Sequence, residues 1–403
     1  MEPRDASLAT RMALGVMQNR RYCDYYIDAF YGKPLEPGLR NILRLGVYQL
    51  LFLDKIPAHA AVGETVNLCR KIGRDRASGL VNAVLRRVAE SRDHLLPVPG
   101  EGTADYLAVR WSHPSWLAER MVREHGYAFA ENFFRCNNEP APLTIQVNRL
   151  MVTAEEYMRA LDRAGIAYRS FPELPGCLEL EGGHVSRLPG YEEGLFYVQD
   201  RAARLAVEAA GIRPGMRVLD ACAAPGGKSF AAAIAAEGMC EVLSCDIHEK
   251  KLRLIQSGAE RLGIGCIHTR AMDARNSRVD FLNAFDVVLA DVPCSGLGVI
   301  RKRPEIRDKT PEEIQALPAI QAAILENVSS YVKPGGVLLY STCTVLAEEN
   351  REQIQAFLAL HRDFSAEDFC LGSIRSQEGC YDFWPQTDGT DGFFAAKLRR
   401  KET

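Results

Sequence analysis

The stretch that decides the fold is VLDACAAPGGKS, Val218–Ser229. An apolar run ends at Asp220, a loop of small residues follows, and the pattern then becomes helical. Pro225, Gly226 and Gly227 let the backbone come close to a ligand at the N-terminus of the following helix. This order of strand, loop and helix predicts the opening unit of an α/β domain that binds a ligand at the loop.

Apolar runs alternate with helical stretches throughout residues 201–403. The runs are MRVLDAC, CEVLSCD, GCIHTRAMDA, FDVVLADVPC and GGVLLYSTC. Short runs of this kind are typical of buried parallel strands joined by crossover helices. We therefore predict a doubly wound, Rossmann-like α/β domain that binds its ligands at the carboxyl ends of the strands. The basic end of the chain, Lys397–Lys401, is expected to be a frayed tail.

Acidic residues end two of these runs. Asp246 ends CEVLSCD, where its carboxylate can accept hydrogen bonds from ribose hydroxyls. Asp273 ends the next run, where it can contact an adenine or its ribose. Together with the small-residue loop, the two acids predict a site for a nucleoside cofactor.

The same loop has a competing interpretation. CAAPGGKS nearly matches the phosphate-binding pattern GxxxxGK[ST], and FDVVLAD resembles the magnesium-binding strand of nucleoside triphosphatases. However, Cys222 stands where that pattern has its first glycine, and a triphosphatase has no role for Asp246 and Asp273. A nucleoside cofactor is therefore favoured, and Lys228 would then cap or brace the loop.

The sequence before residue 201 predicts two further regions. Residues 1–95 show helical spacing, most clearly in ILRLGVYQLLFL and AVGETVNLCRKI, with few strand signals. A loop rich in proline and glycine, LPVPGEGT, follows this helical domain. Residues 104–200 begin with linker helices and continue, from LTIQVN, as a small α+β module.

Composition limits the classes to which the protein can belong. The chain has 403 residues, 47% of them hydrophobic, and no run of about 18 apolar residues that would cross a membrane. The charged segment from Met1 to Arg11 is unlike a secretory signal, so we expect a cytoplasmic protein. We also expect a monomer. The 12 cysteines lack C-x-x-C spacing, which argues against a metal site and a disulfide framework. With a net charge of −3, any surface that binds nucleic acid must be a local patch.

Two cysteines end strands beside the predicted cofactor loop, Cys294 in DVPCSG and Cys343 in STC. A lone cysteine is most often a small buried residue, but a pair at this edge fits the methylation of a pyrimidine carbon. The C5 atom of cytosine becomes nucleophilic only after a thiolate has added to C6. Asp291, three residues before Cys294, can relieve the charge that this addition places on N3. On this reasoning either thiol could attack, and the other would assist its release.

Methylation of an exocyclic nitrogen is the chemical alternative. Enzymes of that kind need no thiol and typically have an acid or asparagine, two prolines and an aromatic residue at this position. This chain has Asp-Val-Pro-Cys there, at Asp291–Cys294. The motif therefore favours carbon as the methylated atom.

Five segments together resemble one known family. VLDACAAPGGKS, DIHEKKL, FDVVLADVPCSGLGVIRKRPEIR, YSTCTVLAEEN and TDGTDGFFAAKL are similar to the RsmB (Fmu, Sun) group of the NOL1/NOP2/Sun RNA cytosine-C5 methyltransferases. The resemblance spans nearly the whole chain and includes a NusB-like RNA-binding domain over the helical N-terminal residues. That family usually has further helices before the segment that matches Arg4–Arg20, so the domain is expected to be truncated or to start differently.

The resemblance implies roles that the residues alone leave open. Cys343 would be the nucleophile, Cys294 would assist product release, and the substrate would be a cytosine of bacterial 16S ribosomal RNA, flipped out of its stack. The cofactor would be S-adenosylmethionine. The residues implied to contact it are Cys222, Ala223, Ala224, Pro225, Gly226, Gly227, Lys228, Asp246, Asp273 and Asp291.

Two basic sets are candidates for contact with RNA. The first lies in the helical domain and comprises Arg70, Lys71, Arg74, Arg76, Arg86 and Arg87. The second follows the DVPC motif and comprises Arg301, Lys302, Arg303, Arg307 and Lys309, with an ordinary solvated surface as the alternative. The rival function is a NusB-like RNA-binding or ribosome assembly factor whose methyltransferase domain is inactive.

Overall fold

The computed structural model describes residues 3–402, which separate into two compact units, Met1–Pro140 with Ile300–Lys309 and Ala141–Val299 with Thr310–Thr403. The first unit is helical wherever it is described. Its α-helices are α1 (Pro3–Gln18), α2 (Arg20–Phe30), α3 (Pro37–Phe52), α4 (Ala58–Lys71), α5 (Ser78–Glu90), α6 (Ala104–Arg110), α7 (Ser115–His125) and α8 (Tyr127–Cys136).

Helix α3 shows how the sequence builds this unit. Pro37 occupies the first helical position, and the Glu36 carboxylate caps the free N–H groups of Gly38 and Leu39 at 3.0 and 3.1 Å. The apolar face that includes Leu43 then packs into a core shared with α2, α4 and α5. The helical N-terminal domain predicted from the sequence is confirmed.

The second unit begins with a small antiparallel sheet in the order β2-β3-β1-β4. Helix α9 packs against it through Tyr157 and Leu161, and Thr153 and Glu156 form a capping box at the start of that helix. The elements are β1 (Leu143–Val147), α9 (Ala154–Arg163), β2 (Tyr168–Ser170), β3 (Cys177–Leu180) and β4 (Phe196–Val198). This arrangement confirms the predicted α+β module.

An eight-stranded sheet forms the rest of the second unit. Five of its strands are parallel: β5 (Arg217–Asp220), β6 (Glu241–Asp246), β7 (Ile267–Ala271), β8 (Phe285–Asp291) and β9 (Val332–Thr342). The remaining three are antiparallel: β10 (Phe364–Ala366), β13 (Cys380–Phe383) and β14 (Phe393–Arg400). The order is β10-β14-β9-β8-β5-β6-β7, with β13 also pairing with β14. A short hairpin, β11 (Cys370–Leu371) with β12 (Ile374–Arg375), stands apart from it.

Helices cover both faces of this sheet because alternate side chains of each strand point to opposite faces. Val218 packs with the helices of one face and Leu219 with those of the other. The first face holds α10 (Arg201–Ala209), α11 (Gly227–Ala235) and α12 (Glu249–Arg261). The second holds α14 (Leu317–Ser329) and α15 (Arg351–Leu360), and two short helices, α13 (Pro311–Ile314) and α16 (Pro385–Asp388), lie in connections. The predicted doubly wound domain is confirmed.

The end of the chain differs from the sequence prediction. Residues Lys397–Lys401 were expected to fray, but β14 runs to Arg400 and lies between β9 and β10 in the sheet. Leu398 is fully buried, and Glu367 forms ion pairs with both Lys397 and Arg399. Lys397 and Arg399 lie on the side of the strand opposite Leu398, so Leu398 fills the core while these two basic side chains pair with Glu367. No helix within residues 3–402 has the length and apolar character needed to cross a bilayer.

Candidate active site

A cavity of about 410 Å³ opens at the carboxyl ends of the parallel strands, where the sequence predicts the ligand. Seven of the predicted site residues line it: Cys222, Ala224, Asp246, Asp273, Asp291, Cys294 and Cys343. The other five, Ala223, Pro225, Gly226, Gly227 and Lys228, lie in the adjacent loop and helix start and are not part of its lining. The structure thus brings the two acids, the DVPC motif and the STC motif to one opening.

The conformation of the glycine loop depends on a close contact with the ring of Phe230. Gly226 has φ +112°, and a Cβ atom at this position would lie 2.6 Å from the ring of Phe230. Only glycine fits this backbone without strain. The turn lets Asp246 accept hydrogen bonds from the N–H groups of Ala224 at 3.3 Å and His248 at 2.9 Å. The end of β6 and the glycine loop are thereby joined.

Two acids of the cavity region differ in environment. Arg275 binds the Asp273 carboxylate, with an Nη2–Oδ2 distance of 2.6 Å, and these hydrogen bonds lower the pKa of Asp273. Asp220 lies beneath the loop and is fully buried, and burial raises its pKa to about 7 although Ser229 donates a hydrogen bond to it at 2.7 Å. Asp273 is therefore ionised at neutral pH, whereas burial favours the protonated form of Asp220.

Cys294 and Cys343 lie 3.3 Å apart, sulfur to sulfur. Their strands β8 and β9 are parallel neighbours, with Asp291 opposite Ser341 in the register. The loops that follow the two strands therefore start side by side, which brings the thiols together. Both are half-buried and line the cavity.

Lys228 reaches the same place from the start of α11. Its Nζ lies 2.6 Å from Oδ2 of Asp291 and 5.1 Å from the centre of the Phe393 ring. Ser341 donates a hydrogen bond to the other oxygen of Asp291 at 2.8 Å. Burial opposes the charge of Lys228, but the Asp291 carboxylate outweighs it and raises the Lys228 pKa. A buried ion pair thus stands beside the two thiols.

The two thiols are not equivalent. The hydrogen bond between them lowers the pKa of Cys343, outweighing burial and the Asp291 carboxylate, which raise it, and the Lys228 ammonium also lowers it. The same hydrogen bond, together with burial, raises the pKa of Cys294. Since the thiolate is the nucleophilic form of cysteine, this electrostatic difference favours Cys343 as the attacking group and Cys294 as its hydrogen-bond donor.

A buried carboxylate joins the two cysteine loops. Oε2 of Glu349 accepts hydrogen bonds from the Ser295 N–H at 2.9 Å and from Gln321 Nε2 at 2.8 Å. Gln321 also donates to the carbonyl oxygen of Pro293 at 3.0 Å, and the hydroxyls of Ser295 and Thr344 are 2.6 Å apart. Glu349 is 1% exposed, so these bonds are shielded from water. The network ties the residue after Cys294 to the residue after Cys343.

Sequence reasoning missed several residues of the site. Glu349 lies within the YSTCTVLAEEN motif, so the motif itself was a signal, but no role was assigned to its acidic residues. Gln321 lies in helix α14 and gave no signal. The cavity also has an apolar wall that was not predicted, formed by Ile247, Met272, Ile320 and Ile324.

Arg307 corrects one of the predicted basic sets. It was expected to face RNA, but it is 6% exposed within the first unit. Its guanidinium donates to the carbonyl oxygens of Gln18, Trp111, Ser112 and Asn137 at 2.7 to 3.1 Å. Burial lowers its pKa to about 9. The Arg307 guanidinium is thus bound by main-chain carbonyl oxygens and has a structural role. By contrast, Lys302 and Arg303 of the same segment are exposed.

The other basic set lies largely in solvent. Arg70, Lys71, Arg76, Arg86 and Arg87 are exposed. Arg74 is half-buried and pairs with Glu36. Five of the six predicted side chains are therefore exposed on α4, α5 and the turn between them.

Three family matches, together with the doubly wound sheet, define a Rossmann-like class I methyltransferase domain preceded by a NusB-like domain and a ferredoxin-like module. Residues 210–399 match the family described as 16S rRNA methyltransferase RsmB/F. Residues 1–90 match the NusB family, and residues 113–186 match the ferredoxin-like domain of RsmF/B-like methyltransferases.

Similar proteins extend the match over the whole chain. "Probable ribosomal RNA small subunit methyltransferase B" of Bacillus subtilis (strain 168) is 34% identical over 100% of this chain and 92% of its own length. Ribosomal RNA small subunit methyltransferase B of Erwinia tasmaniensis is 34% identical over 98% of this chain and 90% of its own. The crystal structure of PH0851 superposes with a TM-score of 0.84 at 27% identity, covering 99% of this chain and 91% of the other. The chain therefore belongs to the 16S rRNA methyltransferase RsmB/F family.

Proposed function

We propose that this protein transfers a methyl group from S-adenosylmethionine to C5 of a cytosine in small-subunit (16S) ribosomal RNA, through a covalent bond between Cys343 and C6. The observation that carries the proposal is the pair of thiols 3.3 Å apart at the mouth of the cofactor cavity. Methylation of a nitrogen or an oxygen needs no thiol, whereas methylation of a pyrimidine carbon requires one. The proposed substrate is found in the cytoplasm, and we place the enzyme there too.

The cavity fits S-adenosylmethionine. Its volume of about 410 Å³ is within the usual range for sites of small ligands and cofactors. Asp246 ends β6 and offers a carboxylate for ribose hydroxyls, while Ile247 and Met272 provide an apolar wall for an adenine. When bound, this cofactor supplies an electrophilic methyl group. Asp246, Asp273 and the backbone of the glycine loop would hold it.

The first chemical step is the attack of Cys343. Its thiolate forms a bond to C6 of the cytosine, and the electron pair of the C5–C6 double bond moves toward N3 and the carbonyl group. Lys228 forms an ion pair with Asp291 beside the thiols, so its ammonium group is available to stabilise the negative charge that develops on the base. C5 is then nucleophilic and can accept the methyl group.

Release reverses the first bond. A base removes the C5 proton, the double bond re-forms, and the bond between Cys343 and C6 breaks with the electron pair returning to sulfur. Cys294 is 3.3 Å from the departing sulfur and stabilises it by donating a hydrogen bond. The hydrogen bond to Cys343 is the largest cause of the raised pKa of Cys294, and burial adds to it, so the pKa falls once Cys343 is no longer a thiolate. Once Cys343 is bonded to carbon, Cys294 is free to act as the base.

The deciding experiment uses the full chain, labelled S-adenosylmethionine and unmodified 16S ribosomal RNA. We expect label in the RNA, mapped as 5-methylcytosine at one position, and none with Cys343→Ala. Label on a nitrogen or a ribose oxygen would contradict the proposed atom. RNA that is bound but unlabelled would favour the rival function, a NusB-like RNA-binding or assembly factor with an inactive domain. Loss of ATP hydrolysis in Lys228→Ala would favour a triphosphatase.

A further inference from the structure

A second cavity, of about 300 Å³, lies in the second unit away from the cofactor cavity. Its walls come from the segment after β2, the first two turns of α10, the β11–β12 hairpin and the residues around the end of α16. The polar side chains that line it are Arg169, Ser170, Glu173, Arg201, Ser373, Thr387, Asp388 and Thr390. None of these residues has a part in the chemistry proposed above.

Two arginines share one aromatic ring in this cavity. The guanidinium carbon of Arg169 lies 5.0 Å from the centre of the Phe171 ring, and that of Arg201 lies 4.2 Å from it. Phe171 is 4% exposed and is therefore held by the core. Two like charges on one ring repel each other unless an anion lies close to both.

The carboxylates that line the cavity neutralise the two guanidinium charges only in part. Glu173 pairs with Arg201 at 3.4 Å, but Arg169 has no carboxylate partner among the described residues. Asp388 is committed to its own loop, because its carboxylate accepts bonds from Tyr381 at 2.8 Å, the Trp384 N–H at 2.7 Å and Thr387 at 3.0 Å.

Arg201 is already held by the protein, since its guanidinium also donates a hydrogen bond to the carbonyl oxygen of Asp388. Arg169 is therefore the charged side chain that the cavity offers to an anion. The hydroxyls of Ser170, Ser373 and Thr387 surround the same space. Paired guanidiniums with hydroxyl donors are the groups that bind phosphate.

The cavity is connected to the nucleophile through one loop. Thr390 lines the cavity, and the N–H of the next residue, Asp391, donates to Asp200, the N-cap of α10, at 3.3 Å. Strand β14 begins directly afterwards and pairs with β9, with Phe394 opposite Thr342, the neighbour of Cys343. The segment from Thr390 to Phe394 therefore joins the lining of this cavity to the strand that pairs with β9.

We propose that this cavity binds a backbone phosphate of the substrate RNA, on a nucleotide close to the methylated one. The inference rests on the proposed function only in taking RNA as the substrate, and it does not depend on which atom is methylated. The Arg169 side chain is exposed, so it can be changed without disturbing the core. Arg201 is half-buried and provides the fixed side of the site.

The first test measures binding of the full chain to unmodified 16S ribosomal RNA over a range of salt concentrations. Arg169→Ala should weaken binding about tenfold, through loss of a charge-assisted hydrogen bond. The salt dependence should fall by about one ion per complex. Arg169→Lys should recover part of the affinity. The matched control is Arg213→Ala, an exposed arginine that precedes the amino end of β5 and does not line the cavity. Equal affinities of the Arg169→Ala and Arg213→Ala variants would overturn the proposal.

A second test locates the RNA. A photo-crosslinking amino acid in place of the exposed Ser373 should link to nucleotides near the methylated one, wherever the methyl group is placed on it. Links confined to distant nucleotides, or none at all, would refute the inference while leaving the methylation itself intact. Conversely, absence of methylation with the crosslink and the Arg169 effect retained would contradict only the proposed function.

A third test, with inorganic phosphate, distinguishes a site for free phosphate ions from a site for an RNA backbone phosphate. If phosphate ions stabilise the protein against heat in an Arg169-dependent way while RNA binding is unchanged by Arg169→Ala, the cavity is a site for a free anion and the RNA proposal is wrong. If phosphate competes with RNA only while Arg169 is present, the proposal is supported.

Discussion

The backbone N–H of Ser295 donates a 2.9 Å hydrogen bond to Glu349, so a carboxylate from the STC segment holds the residue that follows Cys294. Because the thiols themselves are joined only by a weak sulfur hydrogen bond, their 3.3 Å separation depends on supports of this kind. Glu349 is a positioning residue, since it contacts the loops and does not line the cavity.

Replacing Glu349 tests this role. Glu349→Ala should leave Ser295 N–H and Gln321 without their acceptor and lower kcat about 100-fold, because displacement of reacting groups by about 1 Å can have that effect. The KM for S-adenosylmethionine should change little. Glu349→Gln, which keeps one acceptor oxygen, should recover much of the rate. The exposed Glu352 offers a control in Glu352→Ala. A variant that loses stability but keeps a normal kcat would show that Glu349 only supports the fold.

The roles of the two thiols can be separated by trapping. Cys294→Ala should accumulate a covalent protein–RNA adduct that survives denaturing electrophoresis, because Cys343 attacks but is released slowly. Cys343→Ala should form none. The reverse pattern would assign the nucleophile to Cys294.

The pH dependence of alkylation reports the thiol pKa values directly. Because the pKa of Cys343 is lowered, its thiolate persists to lower pH, and its reaction with iodoacetamide should begin below the pH at which an ordinary cysteine, of pKa about 8.5, reacts. Cys294, whose pKa is raised, should react only at higher pH. In Cys294→Ala the Cys343 midpoint should move upward, since its hydrogen-bond donor is gone. Peptide mass spectrometry measures both sites, and identical midpoints would contradict this account.

Arg307 and Arg303 form a natural comparison within one segment. Arg307→Ala should lower the free energy of unfolding of its unit by about 3 kcal/mol or more, because it leaves several buried carbonyl oxygens without their donor. Arg303→Ala, at an exposed position, should change it by less than about 0.5 kcal/mol. Urea titrations followed by circular dichroism provide the measurement. Similar effects of the two substitutions would show that the carbonyl contacts of Arg307 contribute little.

The sequence by itself determined the α/β class and the place of the site. Alternation of apolar runs with helical stretches, and Asp246 and Asp273 at strand ends, predict a ligand site at the edge of the sheet where the structure has its cavity, since parallel strands end on one side of a sheet. The α/β class and the strand ends depend on local order along the chain. Gly226 was predicted to let the backbone approach a ligand, whereas the structure shows that its φ of +112° and the ring of Phe230 require a glycine there.

Only the tertiary structure decided which distant residues meet. The register of β8 and β9 places Cys294 beside Cys343, the fold brings Lys228 to Asp291, and Glu349 reaches back to Ser295. Burial of Arg307 and the pairing of β14 also contradicted what their charges suggested. Charge in a sequence predicts exposure only on average, because a folded chain can satisfy a guanidinium with carbonyl oxygens and can place apolar residues between the lysines and arginines of a strand. The difference between the two thiols belongs to the same category, since it arises from neighbours that are remote in sequence and close in space.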